Sequence, residues 1–504
     1  MHHCGTHILA TIIFGIGSVL SVAVLIAAAA PKVGQVANLP GQVANLPHVA
    51  RHQAVWVDAF HEGFKSPRET RRLIEWARTN HVNTLFIEVR KAGDAYYKSK
   101  HEPLAPEIAP GYDPLADLLA QAHAPGKPRI EIHAWLIVYR VATTGRLPAG
   151  HVATRHPEWI NLTNTGRRGD GDGGIYLDPG VPGVIDHTDL VVSDLASKYD
   201  LDGIHFDRIR YPGREWGYNP TAIARYQKQT GRVGRPSPDD AAWKQFRREQ
   251  IDAMLQRLYL RAKSVRPSIK VSAATIAFDE CPSDFQRSLA YDQVFQNWLK
   301  WAATGWLDLN CLMAYKREGV AKQAAQYRDW IGFLSVNRGL ALPLVGQGSF
   351  INGPTESMRQ VSLALRHPQI FGVSLYSYSQ LAKRTADGQL VASKLRNGVF
   401  RPNVPAPALS PEQARLGWVG GQVTGGKADR LPVVLATAPA RRAWTDGSGF
   451  FSFNRVPPGE YQIAVEQPRG PQAWQTIRVA GGHVSGIRLA GPSLPPATAE
   501  LARK

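Results

Sequence analysis

The chain has 504 residues, 44% hydrophobic and 20% charged, with a formal net charge of +18. That length exceeds a single hydrophobic core, so two or three globular domains are expected. Lysine and arginine are spread without a long run, no nucleic-acid motif is present, and Cys4, Cys281 and Cys311 show no zinc spacing, so the basic balance points to a solvated surface or an acidic polymer rather than to nucleic acid.

Residues 8–30 are almost continuously apolar and lead into Ala27–Ala30 and Pro31. The small residues suit cleavage of an export signal, and the apolar run is also long enough to serve as a membrane anchor. Residues 1–30 are therefore read as a signal peptide or an N-terminal membrane anchor, and either places the rest of the chain outside the cytoplasm. Residues 31–50 follow as a linker in which the heptapeptide GQVANLP occurs twice, over 34–47.

From 51 to 400, short β-branched runs alternate with helical patterns. The predicted strands are 54–60, 83–89, 130–138, 203–207, 269–275, 307–315, 340–346 and 371–377. Helices are predicted over 66–80, 113–124 and 243–265. The first opens Ser66-Pro67-Arg68-Glu69, with a cap residue followed by proline at the first helical position. Eight strands alternating with helices predict a (β/α)₈ TIM-type barrel, in the α/β class. A doubly wound open sheet is the alternative, and no Gly-rich loop after the first strand supports it. Residues 401–416 are proline-rich and read as a linker. Residues 417–490 carry short strand patterns between Gly and Pro turns, which predicts a small all-β sandwich. Residues 491–504 read as a disordered tail.

A barrel of this kind presents its active site at the carboxyl ends of the strands. Side chains alternate along a strand, so parity assigns faces. In the fourth strand His205 and Asp207 share a face, and Asp207 ends the strand where a carboxyl group projects into the cleft. Glycoside hydrolysis needs a proton donor there, together with a second carboxylate or the substrate's own acetamido group. Asp207 is the candidate acid. In the second strand Glu88 and Arg90 share parity; Glu88 is the candidate partner, Arg90 its holder or a substrate ligand, and Asp94 in the next loop a weaker candidate. His133 and Trp135 share a face of the third strand, where an aromatic ring can floor a sugar subsite. Met313 and Tyr315 end the sixth strand, and Tyr376 or Tyr378 the eighth. Asp170-Gly-Asp172 lacks the remaining ligands of a calcium loop and reads as a polar turn. These residues call for no cofactor and no metal. The expected partner is a polysaccharide, with the chain acting as a monomer.

The stretches VNTLFIEVRKAGDAYYKS, YDPLADLLAQAH, IHAWLIVYRV, HPEWI, YLDPG and YDLDGIHFDRIRYP resemble the bacterial glycosyl hydrolase-like family ten. Its members include a divisome-associated peptidoglycan glycosidase. The resemblance implies a (β/α)₈ barrel and O-glycosyl hydrolysis of a bacterial amino-sugar polymer, and it matches Asp207 to the first Asp of a Phe-Asp-Asp strand end. The second Asp is Arg208 here, and the family's Asn after His-Ala-Trp-Leu is Ile137. The fourth strand is also similar to that of family 18 chitinases, whose proton donor position is Ile209 here. TDGSGFFSFNRVPPGEYQIAV resembles the carboxypeptidase regulatory-like β-sandwich. Two other readings stay open: a glycan-binding barrel without catalysis, and an envelope scaffold.

Overall fold

A computed structural model describes residues 50–142, 147–384, 390–409, 415–425, 428–467, 470–471 and 473–492. The apolar N-terminal segment, the heptapeptide repeat and nearly all of the tail lie outside the described residues. Eight parallel strands close a barrel. They are β1 (His52–Val57), β2 (Thr84–Arg90), β3 (Glu131–Ile137), β4 (Gly203–Asp207), β5 (Lys270–Ile276), β6 (Leu309–Met313), β7 (Leu342–Gly348) and β8 (Gly372–Tyr376). Each pairs with the next in sequence, and β8 closes on β1. Nearly every strand residue is buried, as expected when helices cover the outside and side chains fill the inside.

The helices begin where the sequence places their caps. Ser66 accepts a hydrogen bond from the N–H of Glu69 at 3.3 Å, and Pro67 opens the helix Pro67–Thr79. Asp113 does the same for Pro114–Ala122, accepting from Ala116 at 3.1 Å. The interior of the barrel is tightly filled. At Gly203 an added Cβ would lie 2.2 Å from Nδ1 of His133, its partner on the adjacent strand, so only glycine leaves room for that imidazole.

Beyond the barrel lie β9 (Gly417–Thr424), β10 (Pro432–Leu435), β11 (Arg441–Trp444), β12 (Phe450–Val456), β13 (Gly459–Gln467), β14 (Gln475–Val479) and β15 (Val484–Ala490). One sheet has the order β12-β9-β15; in the other, β13 pairs with both β10 and β14, and β11 flanks β10. Both sheets give apolar side chains to one core, including Val419, Phe451, Val433 and Ile463. Sequence patterning misses β11. Its residues are Arg-Arg-Ala-Trp, half or more exposed in alternation, and a charged edge strand carries little apolar signal.

The C-terminal sheets and the barrel belong to one compact unit. They meet on the barrel's helical jacket. Arg225 grips Asp429 through Nε at 2.8 Å and Nη2 at 3.0 Å. Asn454 donates to the carbonyl of Thr304 at 2.9 Å. Tyr259, on the long helix Ala241–Val265, packs against Trp418.

Candidate active site

The carboxyl ends of the strands surround a cavity of about 700 Å³, a size suited to a few sugar rings. Its floor and walls are aromatic: Trp56, Trp135, Tyr315 and Tyr376 line it together with Ile137 and Met313. The rings meet edge to face or tilted. Trp56 to Tyr315 is 6.4 Å between centroids, and Tyr315 to Tyr376 is 5.9 Å. Trp56, which sequence reasoning passed over, is nearly buried and anchors the floor. Its indole N–H donates to Nε2 of His205 at 3.1 Å, and Nδ1 of His205 bonds Ser272 Oγ at 2.8 Å. Because Nε2 accepts from the indole, the ring's proton is on Nδ1 and the imidazole is neutral. Burial holds its pKa well below the usual range. The signal that could have found Trp56 is parity with Ala54 in a strand rich in apolar residues.

Two of the carboxyl groups that line this cavity, Glu88 and Asp207, stand on barrel strands. Glu88 is almost fully buried, and its Oε2 accepts from the N–H of Ala59 at 2.8 Å. Burial raises its pKa to about 8; the Ala59 hydrogen bond opposes this, and the charges of Asp58 and Asp207 add to it. Glu88 therefore carries its proton at neutral pH. Asp207 is partly exposed at the end of β4, and its Oδ1 accepts the N–H of Arg208 at 2.5 Å. The two carboxyl groups therefore sit in different surroundings, one buried and one partly exposed, and surroundings of that kind separate pKa values.

The sequence profile of the family described as glycosyl hydrolase-like 10 matches residues 51–332. The chain belongs to that family. It is 29% identical to the glycosyl hydrolase DigH of Escherichia coli K12, across 60% of this chain and 73% of that one. It is 24% identical to the glycosyl hydrolase YngK of Bacillus subtilis, across 62% of this chain and 63% of that one. Among solved structures, the catalytic domain of β-amylase from Paenibacillus polymyxa superposes with a TM-score of 0.51 at 11% identity, covering 70% of this chain and 98% of that one. That likeness speaks for the fold alone. The match to the family profile ends before β7, and the residues lining the cavity include none from 417–490.

Of the residues singled out in the sequence, Glu88, Trp135, Asp207, Met313, Tyr315 and Tyr376 come together at the cavity. Three do not. Arg90 was expected beside Glu88, but the pairing of β2 with β3 shifts register between those residues: Glu88 lies opposite Trp135 and Arg90 opposite Leu136. One extra residue turns the side chain to the other face. There Arg90 is fully buried and grips Glu102, with Nη2 to Oε1 at 2.7 Å and Nε to Oε2 at 2.8 Å. His187 joins the same carboxylate at 3.2 Å. Arg90 is thus held in a buried ion pair and does not line the cavity. His133 and His205 do point inward, but they lie below the cavity: His133 reaches Glu131 at 3.2 Å, and His205 sits under Trp56. They support the floor and have no access to the cavity. Asp94 accepts from the N–H of Ala92 at 2.8 Å within its own loop, and Tyr378 packs on Trp76. Asp170 closes a turn by accepting from Asp172 at 3.0 Å and Gly174 at 2.6 Å.

Cys311 is buried in β6 and Cys281 follows β5; both are free thiols. Among the described residues, no group of three or more His, Cys, Asp or Glu side chains is placed to hold a metal ion. Among those residues, no helix is long and apolar enough to cross a membrane.

Proposed function

We propose that this chain hydrolyses O-glycosidic bonds in an amino-sugar polymer outside the cytoplasm, with peptidoglycan glycan strands as the substrate. The observation that carries this reading is the pairing of Glu88 and Asp207 in one aromatic-walled cavity at the carboxyl ends of the barrel strands. Family membership and the relatives named as glycosyl hydrolases agree with it. The apolar segment 8–30 supports export.

The sequence gives the proton-donor role to Asp207, whereas the surroundings favour Glu88. At neutral pH the proton is on Glu88, whose Oε2 is occupied by Ala59. Its other oxygen is left to donate to the departing glycosidic oxygen. Asp207, more exposed and beside Arg208, faces the sugar as the negatively charged partner of the developing oxocarbenium ion, directly or through the acetamido group. Trp56, Trp135, Tyr315 and Tyr376 give the sugar rings apolar faces to stack on.

The test is release of new reducing ends from peptide-stripped peptidoglycan glycan strands. Asp207→Asn and Glu88→Gln should each lower the rate by about two to four orders of magnitude. The rate should also fall as pH rises through about 8, where Glu88 loses its proton. Loss of less than tenfold in both variants would overturn the assignment, and binding without any release would make this a glycan-binding barrel.

A further inference from the structure

Three arginines line the cavity beside Asp207: Arg140, Arg208 and Arg210. They differ from the other cations there. Lys91 is paired with Glu107 at 2.9 Å, Lys322 with Glu280 at 2.8 Å, and Lys316 donates to the carbonyl of Asp279 at 2.8 Å. Among the described residues, none of the three guanidiniums has a carboxylate within ion-pair distance or a side-chain hydrogen bond, and the Nε of Arg140 is buried without a partner. Buried arginines elsewhere are tied down. Arg247, for example, donates to the carbonyls of Trp216 at 2.7 Å and Pro238 at 2.9 Å.

The nearby carboxylates are otherwise engaged. Asp170 is held by Tyr176 at 2.6 Å and by its own turn, and Asp207 accepts from the Arg208 backbone. Asp279, also on the lining, has its Oδ1 3.4 Å from the Gln326 amide. The backbone at Arg208 is left-handed, with φ at 48°, a conformation uncommon for arginine. Ile209 is fully buried while Arg208 and Arg210 both reach the cavity. Burial and the charge of Arg208 bring the pKa of Arg210 down to about 10, and it remains a cation at neutral pH.

Guanidinium groups bind carboxylate and phosphate through paired N–H donors. A neutral or cationic polymer that expelled water from this cavity would leave three guanidiniums facing Asp207 alone on that side, an excess of positive charge that is costly to desolvate. We propose that Arg140, Arg208 and Arg210 form an acid-recognising subsite that takes a carboxylate or phosphate borne by the glycan next to the bond at Asp207. This rests on the hydrolase reading above, and it narrows the substrate to an acidic glycan rather than a neutral or amino-cationic one.

The experiment is calorimetric binding to the full chain carrying Asp207→Asn, which prevents turnover, alongside reducing-end release by the unsubstituted chain. Four probes are compared: peptide-stripped peptidoglycan strands, the same strands with carboxyls converted to neutral methylamides, neutral chitin oligosaccharides, and poly(glycerol phosphate). Amidation should weaken binding about tenfold or more, the size of one lost charge-assisted contact. Adding Arg208→Gln or Arg210→Gln should cause the same loss for acidic strands and none for the neutral probes. Tighter binding of poly(glycerol phosphate) than of acidic strands would identify phosphate as the group; the reverse order would identify carboxylate. Amidated strands bound and cut as well as acidic ones would overturn the subsite while leaving the hydrolase intact. Arginine-dependent binding of acidic strands with no release by the unsubstituted chain would uphold the subsite and overturn the hydrolase. Because the decisive change is on the ligand, the result stands even where a substituted protein folds poorly.

Discussion

The two ends of the barrel treat charge in opposite ways. At the amino-terminal end, Lys270 meets Glu131 at 2.6 Å, His133 meets the other oxygen of Glu131 at 3.2 Å, and Lys263 meets Asp308 at 2.8 Å. Each of these charges has a neighbour of opposite sign. At the carboxyl-terminal end, Arg140, Arg208 and Arg210 stand without ion pairs, and for Glu88 burial outweighs the opposing Ala59 hydrogen bond and Lys91 charge. One end is arranged to hold the fold together. The other keeps three guanidiniums outside ion pairs on the cavity lining, an arrangement that gives up stability.

The same contrast gives opposite responses to pH. Burial alone would raise the pKa of Glu131, but the hydrogen bond with His133 and the charges of His133, Lys270 and His52 take it down to about 2. For Glu88, burial wins and the pKa rises to about 8. Between pH 4.5 and 2 the unfolded chain binds the proton that folded Glu131 refuses, so stability falls as pH falls. Between pH 4.5 and 8 folded Glu88 holds a proton that the unfolded chain has released, so stability falls as pH rises.

The contrast can be broken at several points, with effects of decreasing size. Asp207→Asn at the mouth should cost about two to four orders of magnitude in hydrolysis rate while leaving the thermal midpoint nearly unchanged; a variant that unfolds instead would give Asp207 a structural role. Lys270→Met at the opposite end should do the reverse. It leaves the largely buried Glu131 with only histidines as partners, and chemical denaturation should show a loss of about 3 kcal/mol. Arg90→Met should behave like Lys270→Met, since Glu102, whose pKa the Arg90 and His187 contacts bring down to about 2 against the effect of burial, would be stranded in the same way. Glu88→Gln should flatten the decline in stability between pH 4.5 and 8 and leave the acid limb in place; a slope equal to that of the unsubstituted chain would mean Glu88 is not the group responsible. The smallest effect is expected for Arg208→Gln, whose stability should stay within about 0.5 kcal/mol of the original, because its side chain makes no contact that holds the fold. A large loss there would remove the distinction between the two ends.

Much of this was legible in the sequence because strand and helix periodicities report burial directly. Strand β4 runs over the predicted residues 203–207, and the helix Ala241–Val265 begins two residues before its predicted start. The alternation His205, Asp207 and the strand-end position of Asp207 identify a cavity-facing carboxyl group without coordinates. Parity fails at Arg90, because a bulge is a property of how two strands pair and leaves no mark on either strand alone. The depth of a side chain below the cavity is also invisible to parity, which is why His133 and His205 share a face with the site and yet lie beneath it.

By itself, then, the sequence determined the closed run of eight strands, the all-β region after the proline-rich stretch, and the strand ends from which a site must be built. The physical reason is that local apolar periodicity follows from which face each element buries. Tertiary structure alone decided which charges found partners. Arg90 and Glu102 are twelve positions apart, and Lys270 and Glu131 are separated by 139. Only the packed barrel brings such groups together, leaves Arg140, Arg208 and Arg210 outside ion-pair distance of a carboxylate, and buries Glu88 deeply enough to raise its pKa to about 8.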